Sequence, residues 1–350
     1  MDLAMETAAL ASRQPAEAPA DLGAGGRVVM RALLDGIGGY LPETVVSNDE
    51  LSRSVDTSDT WIRERTGIRQ RHIAGPHETC AFMATRAAQA ALDDAGAAAG
   101  DVDAIIVATA TPDQAFPATA LRVQAALGAR GFGFDLSAAC SGFVYALSVA
   151  DAMIRGGQAG GVLVIGSEVY SRILNWRDRG SCVLFGDGAG AVFLRAASGQ
   201  GTGADRGILS THLHGDGRFG DILYVDGAVG RPERSGHLVM NGKEVYRHAV
   251  VRLSETVDEA LAANGLSRAA VDWLVPHQAN LRIVDGIARR LNLPSERVVV
   301  TIDRHANTSA ASIPLALAEA HGDGRLQRGN LVLLSALGGG LTWGSALIRL

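Results

Sequence analysis

VDAIIVATA (102–110) and VDWLVPHQA (271–279) start with the same dipeptide, continue as short apolar runs and lie 169 residues apart. Each reads as a buried strand. SAACSG from Ser137 is answered by SAASIP from Ser309 at an offset of 172, and each opens an apolar-periodic stretch. GVLVIGS from Gly161 is answered by GNLVLLS from Gly329 at an offset of 168, and GDGAGAVFLR from Gly186 faces GGGLTWGSALIRL from Gly338. Four units in one order at nearly constant spacing predict duplication of a single α/β unit. If the halves pair face to face, helix and sheet alternate in layers, with one central helix from each half innermost. Both helix N-termini then meet near a pseudo-twofold axis. The expected division is a disordered leader over 1–29, one half over 30–200 and a second over 201–350.

The 350 residues are 47% hydrophobic and 20% charged, which suits a soluble globular chain with a large core. The 32 basic against 37 acidic residues leave a net charge of -5. No global basic field therefore points to nucleic acid, and an acidic partner must meet a local patch. Cys80, Cys140 and Cys182 form neither a CxxC pair nor an even framework, as expected in a reducing cytoplasm. The first 26 residues, rich in Ala, Pro, Gly and Glu, lack the basic start and apolar run of a signal peptide. No uncharged apolar run is long enough to predict a membrane span. His212 and His214 form an HxH without a third ligand at suitable spacing, so no metal site is expected.

Phe143, Leu147, Ala150 and Ile154 follow one helical face, and Gly156 and Gly157 supply a stop. Cys140 thus falls in the first turn. Free backbone N–H groups and the positive helix end there are expected to lower a thiol pKa, and the same N–H groups can bind an oxyanion. A lone cysteine is more often a small buried hydrophobe. The small neighbours Ala139, Ser141 and Gly142, however, leave room for a substrate that packing does not require. Cys80, in a helical stretch, and Cys182, in a strand-like run, read as core. His277 follows the second-half strand, whose C-terminal end delivers side chains to a site; alone it reads equally as a surface loop residue. Asn307 precedes the echoing helix and alone reads as its cap. The duplication places both opposite Cys140, and such convergence is what nucleophilic catalysis needs.

DLSAACSGF at Asp135, VPHQANLR at Val275, NTSAASIP at Asn307, FGDGAGA at Phe185, GGGLTWGSAL at Gly338 and WIRERTGIRQRHI at Trp61 occur in one chain. With them, the sequence from about Met30 to Leu350 resembles β-ketoacyl-acyl-carrier-protein synthase III, the initiating condensing enzyme of type II fatty acid synthesis. The resemblance implies the thiolase fold, two duplicated α/β halves in a five-layered αβαβα arrangement. It implies a catalytic set of Cys140, His277 and Asn307, and an oxyanion hole from the N–H groups of Cys140 and Gly339. A related elongating synthase would carry a second histidine where Asn307 stands. Trp61 and Arg179 match the positions that sandwich the adenine of coenzyme A, Arg65 would meet its phosphates and Asn280 its pantetheine arm. Phe116 matches a residue that crosses a homodimer interface to bound the acyl pocket. Leu337 stands where a phenylalanine is familiar, which would admit a longer or branched primer, and Lys243 occupies a position near the pantetheine tunnel where a neutral side chain is expected. Arg282, Arg289 and Arg290 form the candidate docking face for an acidic carrier protein. The implied substrates are a short acyl-CoA, acetyl-CoA first, and malonyl-acyl-carrier protein, with no cofactor beyond the thioester itself, no membrane and no nucleic acid. Competing readings are a condensing enzyme that primes polyketides or secondary metabolites, and a non-catalytic acyl-CoA-binding homologue. The glycines of FGDGAGA feed a strand where a dinucleotide fingerprint would open a helix.

Overall fold

The computed structural model describes residues 28–227 and 230–350; of the expected leader, residues 1–27 lie outside the described residues. Strands are numbered in chain order. The first sheet runs β1 (Val29–Tyr40), β7 (Asp187–Gly199), β6 (Gly161–Val169), β4 (Ala104–Ala108), β5 (Phe132–Leu136). The second runs β8 (Gly207–Gly215), β13 (Thr342–Arg349), β12 (Leu331–Gly338), β11 (Trp273–Pro276). In each sheet two antiparallel pairings are followed by a parallel one, so β8, β13, β12 and β11 repeat β1, β7, β6 and β4. The counterpart of β5 shrinks to a single parallel bridge between Leu274 and Val298. Two small antiparallel pairs, β2 (Val45–Ser47) with β3 (Gln70–His72) and β9 (Leu223–Asp226) with β10 (His237–Met240), lie outside both sheets.

Strands β6 and β12 are buried throughout because each sheet is covered on both faces. Along β6, Val162 and Val164 face the helices Gly142–Arg155 and Ser312–Gly322. Leu163 and Ile165 face the outer helices Cys80–Asp94 and Thr119–Leu127. Along β12, Val332 and Leu334 point to the same inner helices, while Leu331 and Leu333 meet Gly242–Ala263 and Leu281–Leu291. The period of two thus sorts side chains into five layers, αβαβα, as expected from the sequence. Close approach needs glycine in places: a Cβ on Gly166 of β6 would lie 2.3 Å from the Ala310 carbonyl of the other half.

The duplication holds, and the structure corrects its register. Ala139 (φ 45°) opens a 3-10 turn, Ala139–Ser141, that leads into the Gly142 helix; Ser309 (φ 50°) opens the turn Ser309–Ala311 that leads into the Ser312 helix. The repeat spacing at this turn is 170 residues, so the counterpart of Cys140 is Ala310. The 172-residue match of SAACSG to SAASIP slips by two, because small residues on either side of both turns make the letters agree in the wrong frame. Similarly, pairing to the neighbouring strand aligns Val162 with Val332, and the 168-residue match gives way to 170. Cys182 is buried as expected but sits in a turn, its N–H donating to the Asp178 carbonyl.

Candidate active site

A cavity of about 890 Å³ opens where the two inner helices begin, and Cys140, His277, Asn307, Leu337 and Gly339 all line it. Cys140 is 6% exposed. Its turn is entered through the left-handed backbone of Ala139, a conformation costly for a residue with a Cβ. The turn is pinned from within and from outside, since the Ala138 carbonyl accepts the hydroxyl of its own Ser141 at 2.8 Å and that of Thr342 at 3.1 Å. A Cβ on Gly338 would lie 2.7 Å from the Cys140 nitrogen, so the glycine turn after β12 presses directly on this backbone. Among the described residues, no backbone carbonyl accepts the N–H of Cys140, the second residue of a 3-10 turn, or that of Gly339.

Burial pushes the Cys140 thiol up to about 12, and the nearby Glu168 carboxyl adds to the rise while the Ser309 hydroxyl opposes it. This overturns the expected lowering: the resting group is a thiol. His277 follows β11 and donates its backbone N–H to the Ser335 carbonyl at 2.8 Å. Its Nδ1 meets Ser312 Oγ at 2.6 Å, and burial lowers its pKa to about 3, so the ring is neutral at physiological pH. Asn307 is fixed by the start of the FGDGAGA segment and the residue before it, its N–H donating to the Leu184 carbonyl and its carbonyl accepting from Gly186 N–H. Asn307 Oδ1 accepts the Ser309 N–H at 2.9 Å, so it does cap the turn, and the cap leaves Nδ2 available as a donor toward the cavity.

Several groups at the site escaped the sequence reading. Glu168 on β6 is 0% exposed; its Oε2 accepts from Thr111 Oγ1 at 2.7 Å, Ala110 N–H at 3.1 Å and Thr109 Oγ1 at 3.2 Å. Its Oε1 has no partner among the described residues, and burial raises its pKa to about 7. Ser309 Oγ donates to the Tyr170 hydroxyl at 3.0 Å, and Tyr170 also lines the cavity. Strands β9 and β10 wall the outer part with Leu223, Tyr224, Val225, Leu238 and Met240. Ser309 lay inside NTSAASIP but was read only as part of the repeat; the others carried no motif, and strand alternation around Glu168 in GVLVIGSEV was the one available signal.

The proposed coenzyme A contacts gather at the mouth. Arg65 lies over the Trp61 ring at 4.5 Å and Arg179 at 5.3 Å, the latter also paired with Asp56 at 3.2 Å. Asn280 caps its helix, accepting the Arg282 N–H at 2.9 Å and donating to the Arg65 carbonyl at 3.1 Å; it lines the cavity with one lone pair to spare. Arg282 also lines the cavity and reaches the Glu64 carbonyl at 2.8 Å, whereas Arg289 and Arg290 are exposed further along the same helix. Arg282 and Arg289, seven apart, share a face that Asp285 interrupts, and Arg290 stands a step round from it. Phe116 is 84% exposed and lies outside the cavity lining. Lys243, too, is exposed outside the lining, which corrects its expected place at the tunnel: its neighbour Gly242 takes that position. His212 and His214 both contact Glu259, at 3.3 and 2.6 Å, yet among the described residues no group of three side chains is placed to hold a metal ion. No helix among them is long and apolar enough to cross a membrane.

A family profile described as 3-oxoacyl-[acyl-carrier-protein (ACP)] synthase III matches residues 134–217, and the profile of its C-terminal part matches 261–350. A β-ketoacyl-[acyl-carrier-protein] synthase III of Acidiphilium cryptum is 68% identical over 322 residues, 92% of this chain and 100% of that protein. The crystal structure of 3-oxoacyl-[acyl-carrier-protein] synthase III from Aquifex aeolicus matches with a TM-score of 0.86 at 45% identity, covering 91% of this chain and 100% of the other. The priming β-ketosynthase of the R1128 polyketide pathway matches at 0.85 and 36%, covering 94% and 98%.

Proposed function

The chain belongs to the β-ketoacyl-[acyl-carrier-protein] synthase III family, and from that premise we propose that it initiates fatty acid synthesis by condensing a short acyl-CoA with malonyl-acyl-carrier protein. The carrying observation is that Cys140, His277, Asn307 and Gly339, from both halves, line one cavity.

In the first step the Cys140 sulfur attacks the acyl-CoA thioester while its proton passes to the departing CoA sulfur. The N–H groups of Cys140 and Gly339 hold the developing oxyanion. Malonyl-acyl-carrier protein then takes the place of CoA. His277 and the Asn307 amide donate to its thioester carbonyl, so that as the C–C bond to the carboxylate breaks, the electron pair is held as an enolate and carbon dioxide leaves. A neutral histidine suits donation without proton transfer. The enolate carbon attacks the acyl carbonyl on Cys140, and the C–S bond breaks to release β-ketoacyl-carrier protein and a Cys140 thiolate, which takes up a proton from water to restore the thiol.

Trp61, Arg65, Arg179 and Asn280 bind the nucleotide and pantetheine ends of CoA, and Arg282, Arg289 and Arg290 receive the acidic carrier. Leu337 bounds the acyl end of the cavity, with acetyl as first primer. The enzyme works as a homodimer in the cytoplasm. Supporting the dimer, β5 is a sheet edge whose Phe132 is exposed, and Phe116, more exposed still, is a ring that its own cavity does not use. Light scattering in solution tests it. The free thiols of Cys80, Cys140 and Cys182 suit a reducing compartment.

Intact-protein mass spectrometry after exposure to acyl-CoAs of increasing length and branching tests the central reading. Wild type should gain one acyl group and Cys140→Ala none. Acylation persisting in Cys140→Ala would refute it. A preference for longer or branched primers would favour the polyketide-priming alternative.

A further inference from the structure

His277 has a partner that the condensation scheme does not use. Ser312, the first residue of the second inner helix, is buried, and its Oγ stands 2.6 Å from His277 Nδ1. The same oxygen accepts the backbone N–H of Gln278 at 3.3 Å. A serine hydroxyl carries one proton, and among the described residues Nδ1 is the one acceptor within its reach. Were Nδ1 protonated, it would donate to Ser312 Oγ and leave the hydroxyl proton buried without an acceptor, an arrangement folded proteins avoid. The hydroxyl therefore donates, Nδ1 accepts, and the ring proton lies on Nε2. That nitrogen has no protein partner among the described residues, and His277 lines the cavity.

The duplication carries its own control for this contact. The spacing of 169 that aligns β4 with β11 makes Ala108 the counterpart of His277, and the spacing of 170 at the helix turns makes Gly142 the counterpart of Ser312. The two first-half positions touch as well: a Cβ on Gly142 would lie 3.1 Å from Ala108 Cβ. One steric contact thus occurs twice, filled by Ala and Gly in the half that supplies the nucleophile and by His and Ser in the half that supplies the donors. The fold alone requires no polar group there.

We infer that Ser312 is a positioning residue that fixes the tautomer of His277, holding the proton on Nε2 so that the ring donates to the malonyl thioester. The inference rests on the condensing-enzyme reading for its consequence, though not for the tautomer itself. Three measurements separate the two. In the full-length wild-type protein, 15N NMR of the histidine rings should show His277 protonated on Nε2; protonation on Nδ1 would overturn the inference whatever the variants do. In Ser312→Ala, malonyl-carrier decarboxylation should fall on the order of a hundredfold, while acylation of Cys140 by acyl-CoA keeps the wild-type rate and so reports an intact fold. Ser312→Cys, with a weak S–H donor of similar shape, should recover part of the lost rate. Decarboxylation unchanged in Ser312→Ala, or equal loss of decarboxylation and acylation in both variants, would show that Ser312 merely packs. Absence of Cys140 acylation in wild type would instead remove the functional reading and leave the ring assignment standing.

Discussion

At Cys140 two effects of opposite sign act on one sulfur, and their sizes decide its resting state. A helix start favours an anion by roughly 0.3–1 kcal/mol. Burial lifts the thiol from 9.0 to about 12, a difference of roughly 4 kcal/mol, so desolvation wins. The expectation of a thiolate failed because a sequence reveals the helix start and not the depth of burial. Alkylation of Cys140 by iodoacetamide, and acylation in the absence of bound carrier, should therefore keep rising with pH through pH 9. A plateau below pH 8 would show that the helix end dominates. Glu168 offers a second test, because its folded pKa lies above the unfolded value, at about 7 against 4.5. Its contribution to stability is then fully present below pH 4.5 and is lost as pH rises through 7, to a total of roughly 3 kcal/mol. Relative to wild type, Glu168→Gln should gain that amount between pH 4.5 and pH 8 in denaturant titrations, and an unchanged difference would contradict the burial of a charge. Cys140, His277 and Asn307 were legible because each carries a motif. Glu168 was not, and Ser309 and Ser312, although inside NTSAASIP, showed no role there, since the meaning of all three lies in contacts to Thr111, Tyr170 and His277 formed only on folding.

Among the elements, the paired 3-10 turns hold the reacting groups, and each is braced by a glycine that no motif identified as structural. Gly338 presses on the Cys140 turn and Gly166 on the Ser309–Ala311 turn, with Cβ positions 2.7 Å from the Cys140 nitrogen and 2.3 Å from the Ala310 carbonyl. Backbone atoms cannot swing away as a side chain can. Each substitution to alanine should cost about 1–3 kcal/mol, and the losses should differ in kind. Gly338→Ala should slow acylation by acyl-CoA, whereas Gly166→Ala should spare it and slow malonyl decarboxylation. Rate measurements on the two half-reactions check this, and identical profiles would contradict the assignment of one turn to each. The strands and helices themselves were readable from apolar runs and glycine stops. The register of the repeat was not, because Ser and Ala recur on both sides of each turn and only pairing to β6 and β12 fixes the frame.

Across the whole molecule the division of labour follows the pseudo-twofold axis, with the nucleophile from one half and the donors from the other. That much the echo in sequence anticipated; the shrinkage of the second half's fifth strand to the Leu274–Val298 bridge it did not, because no repeated motif marks that strand. The basic face beside the cavity gives a test at this scale. Among the described residues, the Arg289 side chain has no hydrogen-bond or ion-pair partner, so reversing it disturbs little else. Arg289→Glu should raise the KM for malonyl-carrier protein roughly tenfold at low salt, a loss that shrinks as salt is added, and leave acyl-CoA acylation unchanged. Equal effects on both substrates would remove this face as the docking site. Finally, Ala310 stands where symmetry would put a second Cys140. A chain built from two copies of one unit therefore offers, among the described residues, one nucleophile in the cavity that Arg65 and Arg282 both line. If the chain condenses an acyl-CoA with a carrier-bound malonyl group as proposed, both donors must use that one cavity in turn.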